Sequence, residues 1–471
     1  MEGVEAVAHF AYGSLMAFVF YDTETTGTDT TFDQILQFAA IQTDADLNEL
    51  ARFDVRCRLL PHVIPAPGAL LATRVTPTML TDPSLPSHYE MMLQIAHNLR
   101  EWSPSIFIGY NTLSFDEPLL RQAFYQTLQP VYLTNTNGNQ RADVLRLAQA
   151  TAALAPNAMA VPISAKGKPT LRLDMLAPAN GFAHENAHDA LADVEATIYM
   201  ARLIRDRAPA VWNSLMPLVD KGAVTAMLAS GEPKGLVEYH MGVPSLRAVV
   251  GCGHHPKYPT MQAVFDLRRD PAEILNLSEE DLVEEAKGPN RALRTVYANK
   301  MPALFDLGLA GDVQGVIGIP TAEVARRAAV LAADGQFAAR VGVAMQLRYP
   351  PFEPVQVVEG RMYEGFPSHA DEARMQAFHA AGWPERAENA ETIEDDRYRE
   401  LARRIVFVNA PEALADTIRA QLQIWLQNRR HGREGVEAGR TLQVAIDELE
   451  KQAQEKSESP EVAAIGSWLN S

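Results

Sequence analysis

The apolar positions of the chain change their spacing twice, and the changes divide it into three stretches. In the first, Phe18-Val-Phe-Tyr21 is a short aromatic and β-branched run that predicts a buried strand, ended by a turn at Gly27. Ile35–Thr43 and Phe53–Leu59 read as two further strands, with polar Asp44–Asn48 as the hairpin between them, an antiparallel meander. Proline-rich Pro61–Pro67 is a loop. Met92, Ile95, Ala96 and Leu99 fall on one stripe and predict a helix over His88–Trp102. Ser105–Gly109 is a short buried strand and Glu117–Tyr125 a helix. This order predicts an α/β unit with a mixed sheet. A short helix over Lys168–Leu176 precedes a loop at Pro178–Gly181. The segment Asn186–Thr197 then leads into a long helix with Leu191, Val194, Ile198 and Ala201 inward.

From Ala208 to Pro354 the pattern shortens to strands and turns, such as Gly235–His240, Ala263–Leu267 and Gly315–Ile319. From about Phe352 it is helical: Ile418, Leu422, Trp425 and Leu426 repeat at helical spacing, as do Leu442, Ala445, Ile446 and Leu449. The expected units are residues 1–207 (with 1–14 flexible), 208–354 and 355–471. No internal repeat is present.

A chain of 471 residues exceeds one ordinary core, which agrees with that division. With 47% hydrophobic and 21% charged residues it is a soluble globular composition, and no apolar run reaches the ~18 residues of a membrane span. The apolar patch Leu15–Tyr21 has no Lys or Arg before it and runs into Asp22, a poor signal peptide. Two distant cysteines, Cys57 and Cys252, make no disulfide framework and point to a reducing cytoplasm. A net charge of −17 argues against coating nucleic acid through a globally basic surface, but a local basic groove fits within it. The acidic patch Ser278–Glu285 reads as a solvated helix face; the basic run Arg429–Arg433 is placed to approach DNA, though a solvated helix end is the commoner reading.

Chemistry enters at the ends of these elements. Asp22 and Glu24 are two residues apart on the first strand, so both point to one face. Their repulsion is relieved by a bound hard cation, although Asp-Thr-Glu-Thr-Thr-Gly alone is equally a polar strand end. Asp116 lies in Gly109–Asp116, between the later strand and its helix, where α/β sheets collect ligands; it also suits the helix N-cap. His188 begins the long helix and Asp193 is one turn further, positions that singly are usually capping or solvated. As a set, these acidic groups can hold two Mg²⁺ or Mn²⁺ ions about 3.5–4 Å apart, and a histidine can take the proton of an attacking water.

Asp-x-Glu-Thr-x-Gly at 22–27, Tyr-Asn-x-x-x-Phe-Asp at 110–116 and His-x-x-x-x-Asp at 188–193 resemble, in order and spacing, the motifs of DEDDh (DnaQ-like) 3′→5′ exonucleases of ribonuclease H-like fold. Thr170–Gly181, Asn299–Leu304, Tyr363–Asp371 and Asp396–Glu412 extend the resemblance to bacterial exodeoxyribonuclease I over nearly the whole chain. The resemblance implies an SH3-like barrel with helical insertions in the second unit and a helical third unit, closing as a clamp over one strand. It implies processive 3′→5′ hydrolysis of single-stranded DNA to 5′-mononucleotides in DNA repair, with two Mg²⁺ (Mn²⁺ substituting), by a cytoplasmic monomer. It also implies binding of the C-terminal tail of single-stranded DNA-binding protein, and no membrane.

By motif, Asp22, Glu24 and Asp193 would ligate metal, Asp116 would complete the carboxylate set and His188 would activate water. Glu24, Arg172, Arg121, Asn299 and Lys300 are candidate substrate contacts, Arg121 being equally a surface arginine and Lys300 a solvated lysine; Tyr132 and Tyr258 are candidate stacking aromatics. Thr23 and Thr26 depart from some exodeoxyribonuclease I members toward the wider superfamily. Cys252, His254 and His255 lack a second ligand pair, so Gly251–Pro256 is expected to be a glycine-rich turn near DNA rather than a zinc site. Two rivals stay open: the same chemistry on RNA, and an idle nuclease fold kept as a nucleic-acid- or protein-binding module.

Overall fold

A computed structural model of the chain describes residues 17–183, 188–240, 242–349, 355–432, 439–455 and 460–470. The expected flexible segment 1–14, together with Asn186, Phe352 and Arg433, lies outside them. Strand β1 (Ala17–Thr25) is the centre of a five-stranded sheet with β2 (Ile35–Thr43), β3 (Glu49–Arg56), β4 (Ser105–Gly109) and β5 (Gln140–Asp143), in the order β3-β2-β1-β4-β5. The first three strands pair antiparallel, while β4 and β5 are parallel to β1, so the sheet is mixed as expected.

β3 begins at Glu49, four residues before the expected Phe53. Leu47 takes a left-handed conformation (φ 64°) and Asp44 N–H bonds to Asn48 O, closing the turn tightly enough to pair Thr43 with Glu49. After this come two short helices, α1 (Pro67–Thr73) and α2 (Pro77–Leu80), then α3 (His88–Glu101), α4 (Asp116–Gln126), α5 (Val144–Leu154), α6 (Leu173–Ala179) and α7 (Ala190–Arg207). β1 is covered on both faces, which is why it reads as an unbroken apolar run. Phe18 and Phe20 pack with α5 and α7, while Val19 and Tyr21 pack with α3 and α4.

The short helix expected over Lys168–Leu176 is instead α6, starting at Leu173 and carrying Pro178 inside it. Pro169 holds the preceding residues extended, and Lys168 O accepts from Ser164, so the helix cannot start earlier. Gly109, at the end of β4, cannot carry a side chain: a Cβ there would lie 2.1 Å from Thr112 Cγ2 and 2.5 Å from Tyr21 O. That close approach sets the β4–α4 junction against β1.

Helices α8 (Pro209–Leu215) and α9 (Lys221–Ala229) lead to an antiparallel five-stranded sheet of β6 (Lys234–His240), β7 (Val243–His254), β8 (Met261–Asp266), β9 (Leu293–Tyr297) and β10 (Leu304–Asp306). Its order is β10-β6-β7-β8-β9, with β9 and β10 at the two ends. Two expectations fail here. Gly251–His254 is the end of β7 rather than a turn, with a bulge between Gly251 and Gly253. Gly251 is glycine because a Cβ would meet Leu228 O at 2.3 Å. Gly315–Ile319 is not a strand: Asp312 accepts from Gly315 N–H and starts helix α11 (Val313–Ile317), after α10 (Glu279–Glu284).

The remainder is helical: α12 (Thr321–Ala333), α13 (Phe337–Arg348), α14 (His369–Ala380), α15 (Trp383–Thr392), α16 (Asp396–Asn409), α17 (Asp416–His431), α18 (Leu442–Glu455) and α19 (Pro460–Leu469). The units are stitched together. Val237 and Phe305 of the second sheet, with Ala303 just before β10, join the core of α5 and α7, and Ala445, Leu449 and Ile465 pack on Leu70 and Leu80. Arg429, expected at a solvated helix end, is buried over the Phe32 ring at 4.9 Å. No described helix is long and apolar enough to cross a membrane.

Candidate active site

β1 delivers Asp22 and Glu24 to the face covered by α7, and Asp193 meets them from the first turn of that helix. One carboxylate oxygen from each lies within 4.8 Å of the others, the group among the described residues with the spacing of metal ligands. Asp116 is the first residue of α4 and 3% exposed. The N-cap expected of it falls to Phe115, whose side chain makes no cap bond. Asp116 turns instead toward β1, where Thr23 Oγ1 donates to its Oδ1 at 2.5 Å. The turn before α4 is held from below by Asp143, which accepts from Asn111 N–H at 2.9 Å and Leu113 N–H at 3.3 Å. Thr26, the other departure in the first motif, donates to Asp33 Oδ1 at 2.8 Å and fixes the turn after β1.

Packing these acids together disfavours their charge. Burial, then Asp116, Asp193 and Glu24, raises Asp22 well above the usual carboxylate range. Burial, then Asp193 and Asp116, pushes Glu24 up to about 8. Burial lifts Asp116 to about 7, against the opposing Thr23 hydrogen bond. A set of hard oxygen donors that repel one another, with no sulfur or nitrogen in the group, fits a hard divalent cation.

The sign of the stability effect follows. Glu24 is raised in the folded protein, so it favours folding below its unfolded value of 4.5, and that contribution is lost as pH rises through about 8. In chelator at pH 8, Glu24→Gln should therefore raise Tm by about 3 °C, an advantage that shrinks toward pH 5. Saturating Mg²⁺ should reverse the order, since only the wild-type chain keeps the full ligand set. Scanning calorimetry at the two pH values, with and without Mg²⁺, reads this directly.

His188 is exposed at a left-handed turn (φ 69°) just before α7. With Asp193, Arg172, Tyr110, Asn111 and Tyr239 it lines a cavity of about 440 Å³. Arg172, at the N-cap position of α6, is 65% exposed and pairs with Asp174 at 2.7 Å. The chain thus brings together Asp22 and Glu24 of the first motif, His188 and Asp193 of the third and Arg172 of the Thr170–Gly181 segment, while Asp116 of the second motif is not one of the three clustered carboxylates.

A second cavity of about 610 Å³ is lined by Lys300, Arg146, Arg247, Arg291 and Arg294, and shares Tyr239 as a wall with the first. Partial burial, then Arg146 and Arg121, holds the Lys300 ammonium below the usual lysine range. Asn299 is half-buried beside it and does not line this cavity.

Arg121 is no surface arginine: it pairs with buried Glu117 at 2.7 Å and lies 4.9 Å from the Tyr132 ring centre. Tyr132 in turn sits 5.8 Å from the ring of Phe366, which is 77% exposed. The Tyr258 ring lies tilted against His255 with centres 4.8 Å apart, and it lines neither cavity. Cys252 is buried in β7, and His255 Nδ1 accepts from Lys257 and Tyr258 N–H.

Sequence reasoning missed Asp189, which caps α7 and receives Arg56 Nη2 at 2.6 Å, Arg146, which lines the second cavity, and Tyr239, which lines both. Asp189 had a signal, as an Asp beside His188 at the start of the predicted long helix, where Asp is a favoured cap; Arg146 and Tyr239 depend on how α5 meets β6, which no local pattern shows.

Two family patterns match the chain, one described as Exonuclease over residues 19–201 and one as Exonuclease I C-terminal domain over residues 356–470. The exodeoxyribonuclease I of Escherichia coli is 30% identical over 463 residues, covering 95% of each chain. That of Haemophilus influenzae is 30% identical over 407 residues, covering 82% of this chain and 84% of the relative. Among solved structures, exonuclease I from Methylocaldum szegediense superposes with a TM-score of 0.85 at 29% identity, covering 97% of this chain and 98% of that one. Exonuclease I of E. coli in complex with a dA16 oligonucleotide gives 0.82 at 28% identity, with 97% and 98% covered. With these matches spanning the chain and the carboxylate cluster lying inside the exonuclease region, the chain belongs to the exodeoxyribonuclease I family and is a metal-dependent 3′→5′ exodeoxyribonuclease.

Proposed function

We propose that the chain hydrolyses single-stranded DNA processively from its 3′ end to 5′-mononucleotides, with two Mg²⁺ ions, replaceable by Mn²⁺, held by Asp22, Glu24, Asp193 and Asp116. The observation that carries this reading is the three-carboxylate cluster with His188 and Arg172 on the wall of the adjoining cavity. Bound by these residues, Mg²⁺ would supply charge neutralisation at the scissile phosphate. His188 would take the proton of the attacking water at a ring nitrogen, and its exposed turn leaves the ring open to solvent and substrate. Arg172 exchanges Asp174 for a substrate phosphate, a bidentate partner suited to a guanidinium.

The cationic cavity around Lys300 is the path of the strand leading to the cluster, which accommodates DNA despite a net charge of −17. The E. coli enzyme solved with a dA16 oligonucleotide and in a zinc-bound form with single-stranded DNA supports both substrate and metal. In this reading residues 1–207 are the exonuclease domain, 208–354 an SH3-like domain and 355–471 a helical domain that together close over the strand. The protein acts as a cytoplasmic monomer in DNA repair and binds the tail of single-stranded DNA-binding protein.

A 5′-labelled single-stranded DNA oligomer, with duplex and RNA controls, tests the reading in Mg²⁺ and in chelator. Stepwise shortening from the 3′ end, at least about tenfold faster on single-stranded DNA than on either control and absent in chelator, is expected. Preference for RNA would overturn the substrate and keep the chemistry.

A further inference from the structure

Glu24, Gln37 and Arg56 stand in one row across β1, β2 and β3, so their side chains share the face that α7 covers. Gln37 is fully buried, and both ends of its amide are used. Its Nε2 donates to Asp54 Oδ1 at 2.9 Å and to Asp189 Oδ2 at 3.3 Å, while its Oε1 accepts from Ala190 N–H at 3.2 Å. Arg56 Nη2 donates to the same Asp189 Oδ2 at 2.6 Å. The other oxygen of Asp189 caps α7 by accepting from Ala192 N–H at 3.3 Å.

One carboxylate thus does two jobs with its two oxygens. Capping needs only Oδ1; the sheet's grip on Oδ2 is additional to it. The residue before Asp189 is His188, in a left-handed conformation (φ 69°) that few residues with a side chain adopt. Without the tether, the backbone of His188 is free to relax to an ordinary conformation, and its ring leaves the wall of the cavity it shares with Asp193.

We infer that Gln37 and Arg56 are positioning residues for His188: they grip Asp189 from the sheet and so hold the histidine's backbone beside the carboxylate cluster. This rests on the reading of His188 as the group that activates water. Glu24 occupies the same row, so the strand that supplies a ligand and the turn that supplies the base are referenced to one another through adjacent side chains.

The test measures kcat and KM on single-stranded DNA at saturating Mg²⁺ for Arg56→Ala, Arg56→Lys and Asp189→Asn, each also in a His188→Ala background. Arg56 is partly exposed, so its variants should fold, which an unchanged Tm verifies. The expected result is a kcat about tenfold lower for Arg56→Ala and Asp189→Asn, KM within about twofold of wild type, and partial recovery with Arg56→Lys. In the His188→Ala background the same changes should cost less than about twofold, because nothing is left to position. An undiminished tenfold loss in that background, a change in KM alone, or no effect of Arg56→Ala would overturn the inference while leaving the function of His188 standing. A wild-type kcat for His188→Ala itself would instead remove the reading on which the inference rests, and the inference with it.

Discussion

Replacing Asp193 by alanine is expected to lower kcat on single-stranded DNA by at least about 10³-fold, with the fold unchanged. The cluster has three oxygens within 4.8 Å of one another, and Asp193 is the one that comes from the helix rather than the strand. Without it, Asp22 and Glu24 remain on one strand but the site loses its third side, and a hard cation that needs several oxygen ligands is left with too few. The loss should be functional rather than structural. α7 keeps its cap at Asp189, and Asp193 is itself a source of the repulsion that raises Asp22 and Glu24. Metal-free Asp193→Ala should therefore be at least as stable as wild type at pH 8, and Mg²⁺ titration by calorimetry should show weakened binding alongside the lost activity. Asp22→Ala should behave in the same way. Retained activity in either variant would sink the assignment of the cluster as the catalytic centre, and a wild-type chain that binds no Mg²⁺ would bring forward the idle binding module.

The parts of this site legible in the sequence are those set by local rules. The two-residue spacing of Asp22 and Glu24 on a strand fixes their common face, and the unbroken apolar run before them reflects a strand covered on both sides. His188 and Asp193 follow from the start of a helix whose inward stripe is plain. What stayed hidden depends on register between strands or on contacts between units. The row Glu24–Gln37–Arg56 exists because β1, β2 and β3 pair in one particular register, set partly by the left-handed turn at Leu47. Gly251-Cys-Gly reads as a turn, yet those glycines belong to a long strand, where Gly251 packs closely on Leu228 and Gly253 on Ala338. Arg121 reads equally as a DNA contact or a surface arginine because nothing in the spacing shows that Glu117, one turn before it, is buried. The cationic cavity draws Arg146 from α5 and Lys300 from the loop after β9, a juxtaposition made by tertiary packing alone.

Glu117→Ala is expected to destabilise the protein by about 3–5 kcal/mol and to reduce activity with it. Glu117 is 1% exposed, directly follows Asp116, and is the anion that two arginines share. Its Oε1 pairs with Arg121 at 2.7 Å and Arg141 at 2.8 Å, and Thr134 Oγ1 donates to it at 2.7 Å. Tyr21, the residue before Asp22, donates its hydroxyl to Oε2 at 3.1 Å. The alanine variant leaves two guanidinium groups facing one another, with Arg141 9% exposed and Arg121 15%, and releases the tie between the strand carrying Asp22 and the helix carrying Asp116. Activity should fall more in the alanine than in the glutamine variant, which keeps the shape and some hydrogen bonds but loses the charge. The pH dependence separates charge from shape. Burial raises the Glu117 pKa, but Arg141 and Arg121 outweigh it, so the folded value lies below the unfolded 4.5. Its contribution is therefore present above pH 4.5 and is lost as pH falls through the folded value. Urea denaturation should show wild type ahead of Glu117→Gln at pH 7, with the gap closing under acid conditions. An equal gap at both ends of that range would mean that the carboxylate braces the site by shape alone.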